Sequence, residues 1–287
     1  MPIINALSIN VEDYFQAPAY QFNIKESDWD LLSPRIEYAI DKLLLLLSDH
    51  HVTATFFVYG WTISQFPSML KKIAEQGHEL AYRHYSPAGS LHFNQRKIID
   101  DLNRYKAQLS QIIGRRVVGY RADTKLCRSM NAWLENELVL AGYEYCSENR
   151  VDRADMHQDS VGSVFDGFQY LNVSTHHVLS HGYEIINTNS IRLRKYESSS
   201  KLVSNFIETT KTPVLGSLST WMMDNQQPNI RADSLFKKWL HGYHLRETPV
   251  ILHQLFSEYA WQTISDVHLR KVLQISSIHK RKGRCVS

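Results

Sequence analysis

The sequence predicts an α/β fold in which parallel strands alternate with helical crossovers, and three observations carry that prediction. Short runs rich in apolar, β-branched and aromatic residues alternate with stretches of helical apolar spacing from Ile3 to Cys146. Glycines such as Gly77 and Gly114 stand where the helical spacing stops. No linker rich in Pro, Gly or Ser divides the chain, so one domain is expected over 1–287, with a barrel over 1–233 and a helical extension over 234–287.

The elements follow in order. Ile3 to Val11 is apolar and short enough for a buried strand, and it ends in the acidic pair Glu12-Asp13. Pro34 can open a helix, and Ile36, Ile40, Leu43, Leu44 and Leu47 then recur on one face. Thr53 to Tyr59 reads as the second strand, followed by a helix carrying Ile63, Met69, Leu70 and Ile73. Glu79 to Tyr82 is a third strand, and a long helix near Asn94 to Ile113 leads to a strand at Val117 to Tyr120. A helix from about Asn131 to Ala141 precedes Tyr143 to Cys146. From Ser160 to Asp233 the pattern weakens to short pieces such as Phe168 to Val173 and Pro213 to Leu218, and a helical region is expected from Ser234 to Ile278. In a fold of parallel strands the chemistry sits on the loops after the strands' C-terminal ends.

Composition narrows the function classes. With 287 residues, 43% hydrophobic and 11% aromatic, the chain can bury a sizeable core. A formal net charge of +3 is too small for a nucleic-acid footprint. No basic, apolar and small-residue sequence opens the chain, so a cytoplasmic location is expected. The longest apolar run, Leu43 to Leu47, is far shorter than a bilayer span. Three cysteines, Cys127, Cys146 and Cys285, make neither a disulfide framework nor a C-x-x-C pair and are read as free thiols. The basic tail His279 to Arg284 reads as a solvated end.

Five segments in order carry a family resemblance: Asn5 to Gln16, Thr53 to Trp61, Gly77 to Ala81, Gly119 to Ala122 and Leu218 to Asp224. Together they resemble the polysaccharide deacetylases, the NodB-homology fold of carbohydrate esterase family four, with the first segment most similar to the exosortase-associated cytoplasmic branch. The resemblance implies a distorted (β/α)7-type barrel. In active members it implies a divalent metal, such as zinc, activating water to remove an acetyl group from an N-acetylated sugar.

The same resemblance shows which donors have changed. Asn10 stands where the family has a basic aspartate, and a carboxamide cannot accept a proton from water near neutral pH, a role worth about 10²–10⁴-fold in rate. Arg83 and Pro87 stand at the positions of the two metal histidines, and neither side chain has a lone pair for a cation. Asp123, Cys146 and Ser219 replace a proline, an aspartate and the histidine that resembles the general acid. Glu12 and Asp13 remain as oxygen donors, and Tyr14, Arg121 and Trp221 remain as candidate substrate-binding residues. No bound cofactor is expected.

The expectation is therefore a deacetylase-like protein of exopolysaccharide or cell-surface glycan metabolism that is catalytically inactive and binds glycan or a glycan-biosynthesis protein. The alternative is an active N-deacetylase whose metal ligands have moved, for which His84 and His92 are weak candidates because a one-residue slip turns a strand side chain to the other face. His176, His177 and His181 read as polar residues, since adjacent strand positions face opposite ways. Without a metal, Glu12 and Asp13 would repel each other, and Arg83 is expected to occupy the cation position and pair with one of them.

Overall fold

The computed structural model describes residues 3–85, 94–122, 133–148, 164–165, 168–172, 175–179, 182–185, 196–210, 214–228, 230, 232, 234–243 and 245–267. Its centre is a nine-stranded sheet formed by β1 (Asn5–Val11), β2 (Thr55–Tyr59), β3 (Glu79–Arg83), β4 (Gly119–Ala122), β5 (Tyr145–Glu148), β6 (Val164–Phe165), β7 (Phe168–Asn172), β10 (Leu215–Ser219) and β11 (Trp261–Gln262). The order is β10-β1-β2-β3-β4-β5-β7-β6, with β11 paired to the start of β1. Every pairing is parallel except β6 with β7, and helices cover the outside, which makes a parallel-stranded half-barrel. A separate hairpin joins β8 (Thr175–Leu179) and β9 (Gly182–Ile185).

The helices are α1 (Ile36–Asp49), α2 (Gly60–Gln65), α3 (Pro67–Glu75), α4 (Gln95–Ile113), α5 (133–140), α6 (Tyr196–Thr210), α7 (Leu235–Gly242) and α8 (Thr248–Glu258). Their outer-core faces are the residues that periodicity picks out: Ile36, Ile40, Leu43, Leu44 and Leu47 on α1, and Met69, Leu70 and Ile73 on α3 are all buried. The Asn94 side chain caps α4 by accepting from the Lys97 amide at 3.1 Å. Gly114 ends α4 at φ 66°, a left-handed conformation that glycine adopts without a Cβ penalty.

Alternation along the strands divides the core in two. Leu7, Ile9, Val11, Phe56, Val58, Leu80, Tyr82, Tyr120 and Cys146 face the helices and belong to the large outer core. Ala6, Phe57, Ala81, Tyr145 and Leu215 form a smaller inner cluster with Ile264. Gly119 lets the inner layer close, because a Cβ there would lie 2.2 Å from the Tyr145 hydroxyl.

Two expectations need correction. The region after 233 is not wholly helical: β11 lies within it and hydrogen-bonds to the first strand, so the sheet is completed by the C-terminal segment. The strands expected at Val117 to Tyr120 and Pro213 to Leu218 begin two residues later, at Gly119 and Leu215. Cys127, Cys285, His181 and the tail from 268 onward lie outside the described residues, as do the side chains of His176 and His177.

Candidate functional site

The inward positions build the site in layers. At the N-terminal end of the strands, Glu79 accepts from Thr55 Oγ1 at 2.5 Å, Tyr145 Oη at 2.8 Å and Ser265 Oγ at 2.5 Å, which closes that end with partly buried polar bonds. Above it, the fully buried Arg121 guanidinium lies 3.8 Å from the centre of the Phe57 ring. Arg121 Nη1 donates to Asn10 Oδ1 at 2.7 Å and Ser217 Oγ at 3.4 Å, and Nη2 donates to Ser8 Oγ at 2.9 Å and Ser147 Oγ at 2.8 Å. One side chain from β4 thus ties together β1, β5 and β10 across the interior. The acceptors are all neutral, and burial, followed by the nearby Arg83 charge, lowers the Arg121 pKa to about 9.

At the C-terminal mouth, Arg83 Nη1 donates to Glu12 Oε1, the pairing expected from the sequence, and the Tyr59 hydroxyl donates to the same oxygen at 3.1 Å. The guanidinium also stacks 4.6 Å from the Tyr59 ring centre. Burial drives the Tyr59 pKa well up, so this phenol stays a protonated donor. The Glu12 backbone is fixed as well: its amide donates to Thr220 Oγ1 at 2.8 Å, and that hydroxyl donates back to the Glu12 carbonyl at 2.5 Å. Beside the ion pair, Tyr85 packs edge-on against Tyr59 at 5.4 Å and Trp29 at 4.7 Å, and Trp61 packs against Trp29 at 5.5 Å.

Residues 33–144 match the family model described as polysaccharide deacetylase. This stretch, less than half of the chain, resembles the polysaccharide deacetylases. The chain is 34% identical over 87 residues to a peptidoglycan-N-acetylglucosamine deacetylase of Bacillus cereus, covering 30% of each protein. It is 29% identical over 129 residues to a peptidoglycan deacetylase of Helicobacter pylori, covering 43% of this chain and 39% of that one. These matches span about a third of the curated relatives' length, 30% and 39%. A crystal structure of a polysaccharide deacetylase-type protein from Mycobacterium smegmatis aligns over 96% of this chain and 93% of its own, with TM-score 0.58 and 17% identity, which shows the shared fold.

Against the polysaccharide deacetylase pattern, several expected site residues sit elsewhere. Asp13 is not a second carboxylate in the mouth: Oδ1 accepts from the Tyr14 amide at 2.7 Å, and Oδ2 accepts from the Arg35 and Ile36 amides at 2.7 and 3.0 Å. It caps a 3-10 turn and the start of α1, and burial outweighs these bonds to raise its pKa to about 6. Tyr14 is buried edge-on against Phe15 with its hydroxyl on the Ser33 carbonyl, so it is not exposed to bind substrate. Trp221 is likewise buried, 4.3 Å from the His241 ring, and Arg121 lies inside the barrel rather than on a binding surface. Cys146 faces the outer core, whereas its neighbour Ser147 faces inward. Ser219 ends β10 at the register of Asn10, buried at the mouth. His84 follows β3 one step beyond the inward Arg83, with its amide on the Arg121 carbonyl. Pro87, His92 and Asp123 lie outside the described residues.

The sequence reading passed over Ser8, Ser147, Ser217 and Tyr59. A signal was present, since Ser8 with Asn10 and Ser217 with Ser219 are polar residues two apart within otherwise apolar strands, the spacing of one strand face. The divalent metal typical of the family does not fit the donor set seen here. Glu12 carries a guanidinium, Asp13 is turned onto backbone amides, and Asn10 has given its carbonyl oxygen to Arg121. Among the described residues, no group of three or more His, Cys, Asp or Glu is placed to hold a cation.

Proposed function

We propose that this chain has given up metal-dependent hydrolysis and serves exopolysaccharide or cell-surface glycan metabolism by binding an N-acetylated glycan, or a protein that makes one, at the barrel mouth. The observation that carries this reading is the Arg83 guanidinium on Glu12. A cation at that carboxylate would have to displace a charge-assisted, largely buried bond and would then lie beside a second positive group, Arg121. Arginine supplies the metal's charge but not its Lewis acidity. The Asn10 amide offers no proton acceptor to a water, and Ser219 offers no acid to a leaving amine. Tyr85, half-buried against Tyr59, and Trp61, half-buried behind Trp29, give the neighbourhood of the mouth aromatic faces of the kind that pack on sugar rings. Placement in the cytoplasm and in the exosortase-associated branch belongs to the same proposal and is supported by the opening segment Asn5 to Gln16.

The test joins metal analysis of protein purified without chelator to an acetate-release assay on N-acetylated oligosaccharides. The expected result is below about 0.2 equivalents of zinc, nickel or cobalt and no acetate release, with retained binding to at least one glycan in affinity electrophoresis. Near-stoichiometric metal that is lost in Glu12→Gln, together with released acetate, would establish an active N-deacetylase with relocated ligands instead.

A further inference from the structure

Helix α1 packs against α8, and the contact brings together two histidines that stand 203 positions apart in the chain. His50 caps the C-terminus of α1 and turns its Nε2 onto Nδ1 of His253 on α8. The ring centres are 4.4 Å apart, with the planes tilted by 55°. Ser257, one turn further along α8, fixes which nitrogen of His50 carries the proton. The Ser257 hydroxyl donates to the His253 carbonyl at 2.9 Å, so towards His50 Nδ1, at 3.5 Å, its oxygen can only accept. The His50 proton therefore sits on Nδ1, and the Nε2 lone pair points at His253. The His253 ring is exposed, and its other nitrogen has no hydrogen-bond partner among the described residues.

We infer that His50 and His253 form a binding site for a transition-metal cation that favours imidazole, Cu²⁺, Ni²⁺ or Zn²⁺, and that the bound ion clamps α1 to α8. Imidazole nitrogen is a donor these ions share, and a ligating histidine characteristically gives its second ring N–H to an oxygen, as His50 does to Ser257. Ligation also needs the neutral ring, and burial first, then His253, lower the His50 pKa from its ordinary 6.5. The charge of a bound cation is favoured by the C-terminal end of α1 and by the Asp49 carboxylate next to His50. Metal–nitrogen bonds of about 2.0–2.1 Å set two donors roughly 3.3 Å apart at a tetrahedral centre. His50 is half-exposed and His253 exposed, so the rings can part to that spacing. Among the described residues no third His, Cys, Asp or Glu joins the pair, so water fills the remaining positions and the ion exchanges. Metal is thus expected on the protein when it is supplied, which is compatible with little metal surviving purification. The pair lies between outer helices, and the inference is independent of the chemistry assigned to the barrel mouth.

The experiment is calorimetric titration of the full chain with copper, nickel, zinc or magnesium chloride at about pH 7.5, paired with urea denaturation in the same salts. Binding is expected for the first three, tightest for copper, and not for magnesium, which prefers oxygen ligands. His50→Gln and His253→Gln should each weaken it by at least about tenfold, whereas His51→Gln, next along the chain, should change it by less than about twofold. Copper should raise the urea midpoint of the wild type but not of His50→Gln or His253→Gln, because the unfolded chain does not hold the two rings together. Neither ring is buried, so the metal-free melts of the variants should match the wild type. Wild-type affinity retained in both variants, or a midpoint indifferent to metal, overturns the inference. Metal that is lost in Glu12→Gln but kept in His50→Gln would belong to the barrel mouth, and it counts against the clamp as well.

Discussion

Deleting the Arg83 guanidinium would leave Glu12 buried beside Tyr59 without its counter-charge. Arg83→Ala is therefore expected to lower stability by about 3 kcal/mol in urea denaturation, the range for breaking a buried pair from one side. Adding Glu12→Gln should restore part of that loss, and strictly additive losses would show that the two groups are not coupled. Asn10 gives a second test. Arg121 now has only neutral acceptors, so Asn10→Asp should supply a counter-charge at 2.7 Å and raise stability by about 1 kcal/mol, whereas a lowered midpoint would mean that the carboxylate's desolvation wins. The Arg83 pairing was legible because the resemblance aligned two strand ends. The fate of Asp13 was not, because the amides that claim it belong to Arg35 and Ile36, more than 20 residues further along the chain.

Between α3 and β3, His78 is buried against the Phe56 ring at 5.1 Å, with Nδ1 accepting from the Ala54 amide at 3.3 Å. Burial first, and the Arg115 charge second, lower its pKa from 6.5 to about 4. Between those values the unfolded chain takes up a proton that the folded chain refuses. The stability contributed by neutral His78 is thus complete above pH 6.5 and is lost as the pH falls towards 4. Asp13 works the other way: its pKa is raised to about 6, so its contribution is present at low pH and declines as the pH rises through 6. Comparing wild type with His78→Asn cancels the Asp13 effect. From pH 7 to pH 5 the wild type should lose about 2 kcal/mol more than the variant in urea midpoints, and parallel curves would refute the assignment. At this scale most elements were readable, because periodicity reports burial directly: the helix expected near Asn94 to Ile113 is α4, Gln95–Ile113. Two-residue strands such as β6 and β11 carry no period and become visible only through their partners.

The sheet is closed at β1 by residues more than 200 positions away, since Asn5 and Ala6 pair with Trp261 and Gln262 of β11. Trp261 is buried, its ring 6.4 Å from Phe256 and close to Gly216, so Trp261→Ala should cost about 3–5 kcal/mol, measured as a drop in unfolding free energy. A loss below about 1 kcal/mol would show that the C-terminal segment is a dispensable appendage, as a division at 233 implies. By itself the sequence determined the alternation of strands and helices, the resemblance to the polysaccharide deacetylases, and the absence of a base at Asn10 and of metal donors at Arg83 and Pro87, because these follow from local spacing and from what a side chain's atoms can do. Only the tertiary structure decided where the surviving polar groups went. Glu12 and Asp13 are neighbours in sequence, yet one faces an arginine from β3 and the other caps α1. Arg121 gathers its acceptors from β1, β5 and β10. The direction of a side chain at a strand end, and the donors waiting there, are fixed by packing between distant segments, and spacing along the chain holds no record of it.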